Sequence, residues 1–142
     1  MFRTAVAAIT VLSLVGCGSF SGFKSRASGS YLATKVCGVE IDGKTRRAHL
    51  RVVYAVLKPL PRNGALEVEF ENPARDAAPL RVTRRLTGSE STIEVVSPAV
   101  TALRAREYQV VARVYATAEK REALATQTHA CESLVDERDL LR

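Results

Sequence analysis

Leu66–Glu71 reads LEVEFE. Successive side chains of an extended chain point to opposite faces, so Leu66, Val68 and Phe70 share one side and Glu67, Glu69 and Glu71 the other. A helical period would scatter both sets around a cylinder. The stretch is therefore a strand with one buried and one wet face, and the same period of two recurs on both sides of it.

Upstream, Lys58–Gly64 (KPLPRNG) is a loop with two prolines and an Asn-Gly turn signal. Before it, Ala48–Leu57 alternates Leu50, Val52, Tyr54 and Val56 against His49, Arg51, Val53 and Ala55. Tyr31–Ile41 is a further strand, carrying Cys37, Val39 and Ile41. Downstream, Asn72-Pro73 ends the opening strand, and Leu80–Leu86, Ser91–Val96, Tyr108–Thr117 and Leu124–Cys131 follow, separated by Pro, Gly, Ser or charged turns. Seven short strands with turns between them predict an all-β antiparallel sandwich or barrel over residues 31–132. There is no internal repeat and no long helical pattern. The tail, residues 133–142 (SLVDERDLLR), sets Leu134, Leu140 and Leu141 around a charged middle. A frayed or weakly docked end is expected there, with a short amphipathic helix as the alternative.

One motif narrows the architecture. Ser97–Leu103 (SPAVTAL) leads into Tyr108–Tyr115 (YQVVARVY), so a Leu precedes by a few residues a Tyr that opens an alternating strand. This resembles the tyrosine corner of immunoglobulin-like and fibronectin type III sandwiches, over about 20 residues. The resemblance implies a seven-stranded immunoglobulin-like sandwich in which the Tyr108 hydroxyl bonds a backbone group upstream. Tyr108 is accordingly a structural residue. The chain has no Trp, and its cysteines lack immunoglobulin spacing, so a transthyretin-like sandwich stays open.

The first residues carry a second resemblance. Arg3 precedes an apolar run, Thr4–Leu14, of the length of a signal peptide and too short to span a bilayer. Leu14-Val15-Gly16-Cys17 follows and resembles the bacterial lipobox at all four positions. The resemblance implies cleavage of residues 1–16, thioether lipidation of Cys17, and N-acylation with palmitate as the expected chain. Several chains together anchor stably where one does so only marginally. Gly18 in place of Asp implies sorting to the outer membrane, facing the periplasm. Residues 18–30 (GSFSGFKSRASGS) read as a flexible tether with an r.m.s. reach of about 20 Å. Phe20 and Phe23 within it are either interfacial contacts or incidental.

Removing residues 1–16 takes one of the 21 basic residues and none of the 15 acidic ones, leaving 20 − 15 = +5. The charges are interspersed, which suits a mixed solvated surface rather than a nucleic-acid face. With Cys17 lipidated, Cys37 and Cys131 remain as an even pair in an oxidising compartment, and they read as a disulfide closing most of the domain. A redox or metal pair is the alternative; no Cys-x-x-Cys exists, and only His129 lies close to either cysteine in sequence.

Candidate chemistry is sparse. Glu67, Glu69 and Glu71 line one strand face, but residues at i, i+2 and i+4 diverge from a single ion, and Arg81, Thr83 and Arg85 on the next strand are their natural cross-strand partners. Neither His49 nor His129 accompanies a nucleophile elbow or a zinc-ligand spacing. Lys44, Arg46, Arg47, Arg84, Arg85, Arg104 and Arg106 are candidates for a basic patch only if the fold gathers them. We therefore expect no catalytic residue, metal or cofactor. The expected function is that of a membrane-anchored lipoprotein binding protein partners in an envelope secretion or assembly complex, similar in architecture to the small sandwich lipoproteins of secretion systems. The membrane is contacted through the lipid on Cys17, and nucleic acid and small-molecule substrates are not expected. An immunity or inhibitor lipoprotein, recognising a toxin or lytic enzyme through Lys58–Gly64 or Asn72–Pro79, is the alternative. An enzyme or carrier would need a cavity inside a barrel.

Overall fold

A computed structural model describes residues 31–142. The expected signal peptide 1–16, the expected lipidation site Cys17 and the expected tether 18–30 lie outside the described residues. Seven antiparallel strands follow in order: β1 (Leu32–Ile41), β2 (Ala48–Val56), β3 (Ala65–Phe70), β4 (Leu80–Arg85), β5 (Thr92–Val96), β6 (Glu107–Tyr115) and β7 (Ala123–Glu132). They form two sheets, β1-β2-β5 and β4-β3-β6-β7. The fold is an immunoglobulin-like sandwich. Its fourth strand sits beside the third, whereas a constant-type immunoglobulin domain keeps that strand in the sheet of the first, second and fifth.

The opening hexapeptide lies in the centre of the larger sheet, between β4 and β6. Leu66, Val68 and Phe70 are fully buried, each removal from water stabilising by roughly 1.5–3 kcal/mol. Leu50, Val52 and Tyr54 of β2 face them from the smaller sheet, with Ile93 and Val95 of β5 and Val110 and Val114 of β6 completing the core. A gap lined by Tyr31, Leu32, Ala112, Val114, Ala125 and Gln127 holds about 10 Å³, the lower limit for one water.

Two local features depart from plain alternation. In β1 the register jumps between Thr34↔Tyr54 and Val36↔Val53, leaving Lys35 as an extra residue. Such a bulge exchanges the faces of the strand. Ahead of it Leu32 is buried and Thr34 bonds the inward Gln127; beyond it Cys37 is buried and Val39 packs on the core. The second departure is the tail, which is docked rather than frayed. Glu137 N–H donates to Leu103 O at 2.8 Å, Arg104 pairs with Asp136 at 3.3 Å, and Val135 and Leu140 pack against the core. Asp136 caps a single helical turn, α1 (Glu137–Leu140), by accepting from Arg138 N–H. Leu134 and Leu141 remain exposed.

The strand order assigns every connection to one of two ends. Tyr31 and the connections 57–64, 86–91 and 116–122 share the end at which the chain comes in, and Leu57 N–H donates to Tyr31 O at 2.8 Å. The connections 42–47, 71–79 and 97–106 and the tail share the far end. The Asn-Gly signal is a tight approach at the first of these ends. Asn63 takes φ 62°, and a Cβ on Gly64 would collide with the Tyr115 carbonyl and with Pro61.

Candidate functional site

Cys37 on β1 and Cys131 on β7 are joined by a disulfide, their Cα atoms 5.0 Å apart across 94 residues of sequence. It links strands that belong to different sheets, at the side where the first and last strands meet. His129 lies two residues before Cys131 on the same inward face. Its Nε2 is 2.8 Å from the Tyr54 hydroxyl, with the two rings edge-to-face at 5.6 Å. Its Nδ1 is buried and has no hydrogen-bond partner. Burial lowers the imidazole pKa to about 4, offset in part by the adjacent Ala130 backbone, whose approach to the ring falls short of hydrogen-bond geometry, so the ring is neutral at pH 7. Burial likewise raises the Tyr54 hydroxyl well above its ordinary value. Gln127 completes the side by donating to Thr34 Oγ1 at 3.1 Å. The two disulfide sulfurs and an imidazole nitrogen of His129 lie within 4.8 Å of one another, which makes this the group of described residues with a metal-type donor set.

Tyr108 is fully buried at the start of β6. Its hydroxyl accepts from Arg104 N–H at 2.8 Å and donates to Arg104 O at 3.0 Å, fixing the connection that crosses from the smaller to the larger sheet. The Arg106 guanidinium covers the ring at 4.0 Å.

The glutamate face is a charge lattice. Glu69 takes Arg81 at 2.8 Å and Arg113 at 3.5 Å. Glu67 takes Lys120 at 3.0 Å and Arg113 at 3.5 Å, and Lys120 also donates to Thr83 at 2.9 Å. Glu71 takes Arg106 at 2.9 Å and the Gln109 N–H at 2.8 Å. Burial pushes the Glu71 pKa up, but these two donors outweigh it and hold the group below the usual range. Of the expected partners Arg81 and Thr83 take part. Arg85 instead reaches Asn63, 3.5 Å away. The additional partners come from β6 and its flanks, strands whose adjacency to β3 is a property of topology rather than of local sequence.

Of the seven basic candidates, Lys44, Arg46, Arg47, Arg104 and Arg106 fall in connections of the far end, whereas Arg84 and Arg85 lie at the end of β4. Arg84 donates to Glu94 O at 2.8 Å. Arg46 and Arg47 sit at the far end, lining a groove of about 350 Å³ with Val100, Leu103, Glu137 and Leu140. Asp42 shapes that end, its carboxylate accepting from Lys44 and Thr45 N–H, and those bonds lower its pKa. Lys58–Gly64 and Asn72–Pro79, the two loops expected to recognise a partner, fall at opposite ends and do not form a single surface. The far-end groove was not foreseen in the sequence. Its walls come from three separated segments, and only the basic run Lys44–Arg47 signals it.

The fold and its corner define the class, an immunoglobulin-like antiparallel β-sandwich closed by one disulfide. The chain matches no protein family, and no curated protein or solved structure is significantly similar to it.

Proposed function

We propose that the protein is a membrane-anchored periplasmic lipoprotein, held in the outer membrane through Cys17, that acts without catalysis as a protein-binding subunit of an envelope secretion or assembly complex. One observation carries the reading. Leu14–Cys17, which resembles a lipobox, precedes Tyr31, and Tyr31 lies at the end of the sandwich opposite the groove of Arg47, Val100, Leu103 and Leu140. An anchor upstream of Tyr31 attaches the domain through the opposite end and leaves that far end free for partners.

Photo-crosslinking from Thr101, beside the groove, in native membranes tests this reading. Several envelope proteins captured in fixed ratio is the expected result. One soluble partner in place of them would favour the immunity or inhibitor reading. Crosslinks from position 92 on β5 but none from position 101 would overturn the far end as the binding end. Cys17→Ala should release the protein from the membrane fraction or stall its maturation. A processed, membrane-bound C17A protein would overturn lipid anchoring.

A further inference from the structure

We propose that Cys37, Cys131 and His129 form a redox-gated zinc site: closed as a disulfide when oxidised, and able to bind one Zn²⁺ through two thiolates and the imidazole when reduced. β7 sets His129 and Cys131 on one inward face, and the pairing of Cys37 with Val52 holds the third donor on the adjoining strand. The three donor atoms lie within 4.8 Å of one another. Donors around a tetrahedral zinc stand about 3.5–4 Å apart, given Zn–S and Zn–N bonds of about 2.3 and 2.0 Å. Reduction therefore needs the sulfurs to part and the imidazole to close in, with Cα atoms 5.0 Å apart at the start.

The independent sign is the imidazole itself. A buried ring nitrogen without a partner carries a desolvation cost that a packed core normally avoids. Here Nδ1 is that nitrogen, while Nε2 is held by Tyr54 at 2.8 Å. Zinc-binding histidines show this division of labour, one nitrogen on the metal and the other fixed by a hydrogen-bonding neighbour. Tyr54 is thus the positioning residue. The donor set also suits its setting, since two thiolates cancel the charge of Zn²⁺ and leave no net charge in the core. Two thiolates and one imidazole keep a fourth position open.

The chemistry balances in two steps. A dithiol donor passes two electrons and two protons to the Cys37–Cys131 bond, becoming a disulfide itself and leaving two protein thiols. Zinc then forms two Zn–S bonds as the two S–H bonds break, and both protons go to solvent. Nothing in this depends on lipid anchoring.

The test uses the full chain with Cys17→Ser, so that only this pair carries thiols. The protein is reduced anaerobically with a phosphine, its fold is followed by circular dichroism, and Co²⁺ is titrated as a spectroscopic stand-in for Zn²⁺. One equivalent should bind with thiolate-to-cobalt charge-transfer absorption and be displaced by Zn²⁺. His129→Gln should weaken binding at least tenfold, and Tyr54→Phe about tenfold, the usual effect of a neighbour that orients a ligand. The ¹⁵N resonances of the His129 ring in the unsubstituted protein should shift on adding Zn²⁺, a readout that needs no variant to fold. Folded, reduced protein that takes up less than one equivalent would overturn the site. So would a reduced chain that unfolds and does not refold with Zn²⁺. Ring resonances unmoved by zinc would reduce the finding to chelation by a dithiol and overturn the role of His129.

Discussion

The sandwich has two open sides, and they are closed in different ways. Where β1 meets β7, the closure is a disulfide, the Gln127–Thr34 hydrogen bond and the Tyr54–His129 contact, most of it buried. Where β4 meets β5, the described residues show an exposed hydrogen bond, Arg84 to Glu94 O. Chain connectivity accounts for the difference. β4 and β5 are consecutive, joined by residues 86–91, so the backbone itself ties the two sheets together there. β1 and β7 are the first and last strands, and no short connection holds them. Loop-closure entropy opposes their meeting, and side chains must offset it.

The largest effect should therefore fall on the β1–β7 side. Removing the cross-link with Cys37→Ser should cost about 2–5 kcal/mol, read from urea midpoints. The chain-entropy value for a loop of this size is roughly 4–5 kcal/mol, its span being 94 residues. A loss below about 1 kcal/mol would mean that the remaining contacts alone hold the side, and the contrast between the two sides would collapse.

The same side should also respond to pH. His129 titrates near 4 in the folded protein against its ordinary 6.5, because burial disfavours the cation. Between those values the unfolded chain binds a proton that the folded chain does not, so stability falls as pH falls. The contribution is complete above pH 6.5 and is lost by about pH 4, amounting to roughly 3 kcal/mol. Glu71 and Glu90 have folded pKa values below 4.5, so their own losses come only beneath that point. The slope between pH 6.5 and 5 should thus belong to His129, and His129→Gln should flatten it. A slope that persists in H129Q would assign it elsewhere.

What could be read from the sequence divides along the same line. The strands were legible because alternation is local. Leu66, Val68 and Phe70 are buried as their spacing requires, and each strand boundary falls within about two residues of its turn signals. The pairing of Cys37 with Cys131 followed from parity. Three things were hidden. The β1 bulge at Lys35 depends on register against β2, and nothing in Tyr31–Ile41 marks it. The neighbours of Glu67 and Glu69 on β6 depend on sheet order, as does the contact between His129 and Tyr54, 75 residues apart. The tail docks because Leu103 O and Arg104 are presented to it, a consequence of the corner that Tyr108 fixes. Each is a contact between segments whose adjacency no local pattern encodes.

On the β4–β5 side the connecting loop should matter more than the side-chain bridge. Gly88 takes φ +90°, and a Cβ there would meet Leu60 O at 3.2 Å. Gly88→Ala should cost about 1–2 kcal/mol, the penalty of a side chain in left-handed backbone. Glu90 organises the same turn by accepting from Thr87 N–H and Gly88 N–H, so the strain cannot be relieved without breaking those bonds.

Arg84→Ala should have the smallest effect, within about 0.5 kcal/mol. Its guanidinium donates to a backbone carbonyl from an exposed position, and water replaces such a donor at little cost. Glu94, whose carbonyl it reaches, keeps its own carboxylate on Arg51 at 2.8 Å, which fixes β5 against β2 independently. The comparison with Gly88→Ala decides what closes this side. If Arg84→Ala costs more than Gly88→Ala in the same urea titration, the bridge and not the backbone holds β4 to β5. The two sides of the sandwich would then be closed by the same means, and connectivity would not account for the disulfide at the other.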